Sequence, residues 1–120
     1  MKIALSSGGK DLKSTLDSRF GRCTYFLVHN TDTNDLKVLD NKGKSAGGGA
    51  GISAAQQLID EEIDAVITKN MGPNAYNLMK DSNIKVYRGD NIPCELLIKR
   101  FEENKLEEIT EAGPAHHGGA

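Results

Sequence analysis

At 120 residues the chain has the size of one domain, and a domain of that size buries roughly 65% of the surface its unfolded form exposes, enough for one hydrophobic core. Fifteen basic against 17 acidic side chains leave a net charge of -2, which is no electrostatic footprint for nucleic acid, and no apolar run approaches the roughly 18 residues needed to span a bilayer, so neither nucleic acid nor membrane is expected as a partner. Two cysteines make no disulfide framework, and Ile3-Ala4-Leu5 after Met1-Lys2 is too short for a signal-peptide core, so a cytoplasmic protein with reduced thiols is expected.

Residues 2–6 read as a first strand ending in Ser-Gly-Gly, and 24–30, with Tyr25-Phe26-Leu27-Val28, as a second. A short break rich in Asp, Thr and Asn leads to a third strand over 36–40, marking the pair as an antiparallel hairpin. A glycine loop over 43–51 follows. Ile52, Ala55, Leu58, Ile59 and Ile63 then recur at helical spacing and predict a helix over 52–62. Residues 65–68 form a continuous apolar run, as in a strand buried on both faces. Gly72-Pro73 opens a second helix to about Ser82, with proline where its missing donor is harmless. A fifth strand covers 84–87. A third helix runs to about Asn104, with Asp90 or Asn91 as cap and Pro93 in its first turn. The domain is expected over 1–104, with 105–120 as a partly disordered C-terminal extension.

The order β-β-β-α-β-α-β-α, with right-handed parallel crossovers, gives a five-stranded mixed sheet of order 3-2-1-4-5 in which strand two alone is antiparallel. That is the layout of a three-layer, ribonuclease H-like α/β fold. The carboxyl ends of strands one, three, four and five then share a rim with the start of strand two. Ligands bind open α/β sheets at this rim, where the strand order reverses, here between strands one and four. The rim collects Ser6 to Lys10, Asp17 to Cys23, the glycine loop, Lys69 to Gly72 and Arg88 to Cys94.

Several rim residues carry chemistry. Gly47, Gly48, Gly49 and Gly51 precede a helix N-terminus, where backbone donors meet an anion or a sulfide-rich ligand; the alternative is a hinge. The segment lacks a P-loop, and Asn70 stands where a dinucleotide site wants an acid. Arg19 and Arg22 bracket Phe20-Gly21 and either recognise an anion through their guanidinium forks or hold the loop by pairing with Asp11 or Asp17. Cys23 is either a small buried hydrophobe or, with two arginines nearby, a thiolate, the form that binds metal or attacks; Cys94, in the first turn of a helix, is also in a place that lowers a thiol pKa. Without a Cys-x-x-Cys spacing the two thiols are a weak metal signal, and whether they converge is not legible. His29 reads as structural, while His116-His117 in the glycine-rich tail are solvated or hold a metal ion loosely. Ser6-Ser7 and Thr68-Lys69-Asn70 put no carboxylate where a ribonuclease H-like nuclease would bind its metal.

Taken together, Lys2-Ile3-Ala4 with Ser-Gly-Gly-Lys, then DSRFGRCTYFLV, GGGAGISAAQQL, DAVITKNMGPNAYNLM and IKVY resemble the dinitrogenase iron–molybdenum cofactor biosynthesis family over roughly residues 1–104. The resemblance points to Phe20, Gly21, Arg22, Cys23, Gly49, Gly51, Gly72, Pro73 and Asn74 as family-motif positions; Cys94 is not one. It implies a non-catalytic, nitrogen-fixation-related carrier for a metal–sulfur cluster of iron–molybdenum, iron–sulfur or molybdenum–copper type, serving donor and acceptor proteins. Other classes remain open from the residues: a thiol oxidoreductase using Cys23, an anion- or nucleotide-binding enzyme using the glycine loop, or a regulatory module that binds a partner protein.

Overall fold

The computed structural model describes residues 1–44 and 48–113. Strands β1 (Lys2–Ser7), β2 (Tyr25–Asn30) and β3 (Leu36–Asp40) come first. Helix α1 (Ala50–Asp60), β4 (Ala65–Thr68), α2 (Pro73–Asp81), β5 (Lys85–Arg88), α3 (Cys94–Glu102) and β6 (Glu107–Glu108) follow. One sheet orders them β3-β2-β1-β4-β5-β6, with β1-β4 and β4-β5 parallel and the other pairs antiparallel. The expected order 3-2-1-4-5 is present, extended by one strand.

β1 and β4 lie side by side at the centre of the sheet, and four residues of each, Ala4 to Ser7 and Ala65 to Thr68, are buried without a break. Their alternate side chains feed two separate cores. On one face Ala4, Phe26, Val28, Val66 and Val86 pack under α1 and α2. On the other, Ile3, Leu5, Leu27 and Ile67 pack under α3. Helices on both faces explain why the central strands read as apolar runs instead of alternating.

The helices stop for local reasons. Glu62, Asn83 and Asn104, just past α1, α2 and α3, have left-handed φ values of 58°, 59° and 58°. Asparagine tolerates this conformation better than most residues, so two of the three stops follow from the sequence. The β2–β3 turn uses the same device at Asn34 (φ 62°), with Asn30 accepting its amide at 2.8 Å.

Three details differ from the sequence reading. α1 starts at Ala50, and its buried face is Ala50, Gly51, Ala54, Ala55 and Leu58, while Ile52 is 44% exposed. Small residues let this helix approach the sheet, so the bulkier Ile52 is turned outward. α3 starts at Cys94, capped by Pro93 and not by Asp90 or Asn91. Asp90 instead accepts from Arg100 at 3.3 Å, and Asn91 donates to the Leu16 carbonyl at 3.0 Å. Finally, the first residues past 104 join the domain: Glu107–Glu108 pairs with β5 and Ile109 is buried in the α1/α2 core. A two-residue strand of exposed glutamates has no periodicity to detect. Ile109→Ala should therefore cost about 2–4 kcal/mol in a denaturant titration, as for other buried aliphatic truncations, whereas a residue in a loose tail would cost nothing.

Candidate functional site

Residues 17–22 form a strap across the end of β1 and β4. The Asn70 amide donates to the Ser18 carbonyl (3.0 Å), and the Phe20 amide donates to the Asn70 carbonyl (3.3 Å). Below them the Asp17 amide donates to Ser6 (2.9 Å) and the Ser6 hydroxyl donates to the Asp17 carbonyl (2.7 Å), with the Thr68 hydroxyl at 2.8 Å from that of Ser6. Phe20 turns inward from the strap into the α1/α2 core. It is fully buried and its ring lies 5.3 Å from that of Phe26. The strap thus roofs the point where strand order reverses, and a ligand at this rim meets the strap's outer surface.

Glycines fit the strap to α1. A Cβ on Gly21 would lie 2.8 Å from the Gly51 nitrogen and 3.1 Å from its Cα; one on Gly43 would lie 2.5 Å from the Ala50 oxygen. Asn41, buried just after β3, donates to the carbonyls of Gly21 (3.0 Å) and Cys23 (2.9 Å) and accepts from the Gly43 amide (3.0 Å). Arg22 donates to the Lys44 carbonyl at 3.2 Å. The strap and the start of the glycine loop are one hydrogen-bonded unit, and the first turn of α1 packs closely against it.

Two helix N-termini open onto this unit. α1 begins at Gly49 (φ 72°) and α2 at Gly72-Pro73; among the described residues neither has a capping side chain or an acidic residue in its first turn. α3 differs, since it carries Glu95 there, and its first amides donate to Ser14 (2.9 Å) and Leu12 (2.8 Å). The positive ends of α1 and α2 are therefore available to an anion in a way that of α3 is not. Rim segments 8–22, 40–44, 69–72 and 88–91 carry eight Lys or Arg against four Asp, in a chain of 15 against 17. Lys10 and Lys44 both place their ammonium groups by the Tyr25 ring, at 5.4 and 5.7 Å from its centroid. Arg19 is exposed and pairs with Asp17 at 3.3 Å, which holds its guanidinium more firmly in the charged form. An open groove of about 580 Å³ lies elsewhere, between α1 and β3; Asp60 and Glu61 in its wall disfavour an anion there.

The sequence-predicted residues thus divide. Arg19, Gly21 and Arg22 in the strap, Asn70 beneath it, Gly49 and Gly51 at α1, and Gly72, Pro73 and Asn74 at α2 converge on one rim, with Gly48 exposed at its mouth. Gly47, His116 and His117 lie outside the described residues. Phe20 comes to the same place as core packing. Asn41, Lys10, Tyr25 and Lys44 were not singled out by the sequence, because an asparagine after a strand and scattered surface lysines carry no spacing signal.

Of the two readings of Cys23, the buried one agrees with the structure, and the metal-ligating thiolate does not. Cys23 is fully buried in the α1/α2 core, donating to the Phe20 carbonyl at 3.4 Å. Burial, with the Asp17 charge, pushes it up to about 12, so the arginines do not make it a thiolate. Cys94 is equally buried in the α3 core, and burial pushes it up to about 11. The two belong to opposite faces of the sheet and do not converge. Among the described residues no three His, Cys, Asp or Glu side chains group to hold a metal ion.

Three tests follow from this geometry. Gly21→Ala should destabilise by roughly 1–3 kcal/mol through overpacking against α1, while Gly48→Ala, with open space around its Cβ, should stay within about 0.5 kcal/mol in the same denaturant series. Both thiols should resist alkylation in the native protein at pH 8 and react fully on unfolding. The raised thiol values also set a pH dependence. The unfolded chain loses these protons first, so thermal stability should be flat through neutrality and fall from about pH 9 upward, and replacing both cysteines by alanine should flatten that fall.

Comparison with known proteins agrees with this architecture. The apo form of the orange protein of Desulfovibrio gigas superposes with a TM-score of 0.90 at 27% identity, over 93% of this chain and 95% of that one. The Thermotoga protein TM1290, provisionally described as a NifB protein, gives 0.83 at 31% identity, over 96% and 98%. An uncharacterised protein of Methanocaldococcus jannaschii, MJ0580, is 31% identical over 112 residues, covering 91% of this chain and 92% of its own. The sequence profile of the family described as dinitrogenase iron-molybdenum cofactor matches residues 1–104, and the chain belongs to that family.

Proposed function

We propose that the protein is a non-catalytic carrier that binds an anionic metal–sulfur cluster on the outer surface of the 17–22 strap and passes it between a donor and an acceptor protein in the cytoplasm. The observation that carries this reading is the convergence of two uncapped helix N-termini with the strap arginines on a basic rim of an acidic chain. Backbone amides and guanidinium groups donate to the sulfides of such a cluster and offset its charge. Membership in the iron-molybdenum cofactor family and likeness to a protein solved in its apo form support the same cargo class, of iron–molybdenum, iron–sulfur or molybdenum–copper type. The donor set fits a cargo held by its sulfides. With the thiols in the two cores, the described rim grips the cluster's outer atoms and leaves its metals to the next protein. A thiol oxidoreductase would need paired or accessible thiols, and Cys23 and Cys94 are neither.

Anaerobic purification with metal and acid-labile sulfide analysis tests for the cargo directly. A titration tests the site. Apo protein is titrated anaerobically with tetrathiomolybdate or a synthetic iron–molybdenum–sulfide cluster and followed by visible absorption. The double variant Arg19→Ala/Arg22→Ala should bind roughly 10- to 100-fold more weakly, the loss of one to two charge-assisted hydrogen bonds, and wild-type binding should weaken with added salt. Cys23→Ser, where it folds, should bind within about threefold of wild type. Unchanged affinity in the arginine double variant would remove the strap surface as the cluster site.

A further inference from the structure

We propose that Asp17 sets the release of the cargo: its carboxylate holds the Arg19 guanidinium while the strap is empty and competes with the anionic cargo for it. The assignment rests on the strap surface being the cargo site, and it adds how that site lets go.

The carboxylate is anchored and the guanidinium is not. The Asp17 amide donates to the Ser6 carbonyl at 2.9 Å, and the Asp17 carbonyl accepts from the Ser6 hydroxyl at 2.7 Å. Its Oδ1 accepts from the Arg19 amide at 2.9 Å, and its side chain is 13% exposed. The Arg19 side chain is 63% exposed; its Nε donates to Oδ1 and its Nη2 to Oδ2, both at 3.3 Å. A firm charge-assisted N–H···O bond closes to about 2.7–2.9 Å, so a long, solvated side chain rests loosely on a fixed acceptor. The edge of the guanidinium that Asp17 occupies is one of the edges an anion takes.

When cargo draws the guanidinium away, the ion pair is lost and the carboxylate stays beneath the bound anion, still held by the Arg19 amide. Asp17 is the one acidic residue of the 17–22 strap, and its charge already acts below it: together with burial it pushes the Cys23 thiol up. A loaded strap therefore carries a repulsion that the empty strap has neutralised. The consequence is weaker binding and faster release, which serves a protein that passes its cargo on.

The test is a mutant cycle, read by anaerobic titration with tetrathiomolybdate and by the rate of release into concentrated salt. Asp17→Asn removes the charge and keeps an oxygen for the Arg19 amide. Asp17→Ser removes the charge in a second way, and circular dichroism checks that each variant is folded. Asp17→Asn should bind about tenfold more tightly than wild type and release about tenfold more slowly. In an Arg19→Ala background the same change should gain no more than about threefold, because no guanidinium is left to compete for. Asp60→Asn makes the same change of net charge in the groove between α1 and β3 and should stay within about twofold of wild type. Binding by Asp17→Asn and Asp17→Ser that equals or falls below wild type would overturn the inference, and the cargo site would stand if Arg19→Ala still weakens binding. An equal gain with and without Arg19 would overturn the competition as well. Binding by neither wild type nor Asp17→Asn would remove the cargo site and the inference together.

Discussion

With only hydrogen where a side chain would stand, Gly21 lets the backbone of the strap press against the first turn of α1. The rest of the rim hangs on that close approach. It brings Arg19 and Arg22 beside a helix N-terminus and sets the Gly21 and Cys23 carbonyls where one buried amide, that of Asn41, satisfies both. It also carries Phe20 into the α1/α2 core, its ring against that of Phe26. The physical cost of such a strap is backbone polarity near a core. That cost is met by the exchange with Asn70 and by the Ser6 and Asp17 pair, so the strap's buried groups find partners. A conventional cleft at this position is closed, and what replaces it is a firm, hydrogen-bonded surface.

That surface suits temporary holding. Charge-assisted hydrogen bonds from the periphery of an ion are individually modest, sensitive to salt, and broken one at a time, whereas metal–thiolate bonds are hard to undo. The molecule keeps its thiols in its two cores, where burial makes them neutral packing groups. The polarised charge, basic at one rim of a chain with more acids than bases, attracts an anion to that end without making the whole protein basic.

The fold was legible in the sequence because its signals are local and mutually consistent. The hairpin follows from a short polar link between two β-rich runs, the parallel crossovers from apolar strands alternating with helices, and two of the three helix stops from Asn83 and Asn104. Once strand order is known, the carboxyl ends fall on one side, so the meeting of Arg19, Arg22, Gly49, Gly51, Asn70 and Gly72 follows from topology alone. The RFGR and GPNA segments added the family.

What the amino-acid order settled by itself is therefore the sequence of elements, the sheet order of its five main strands and the membership of the rim. What tertiary structure decided is which way the rim's side chains face. Cys23 and Cys94 both lie beside the rim, yet each is buried, one in either core, because a side chain's face depends on the local turn of the backbone and not on which end of the sheet it occupies. Asn41 became an organiser only because the glycines around it allowed α1 to come within reach, and Ile109 became core only because β5 had a free edge beside α2. Such facts depend on contacts between residues far apart in the chain, which periodicity and spacing do not encode.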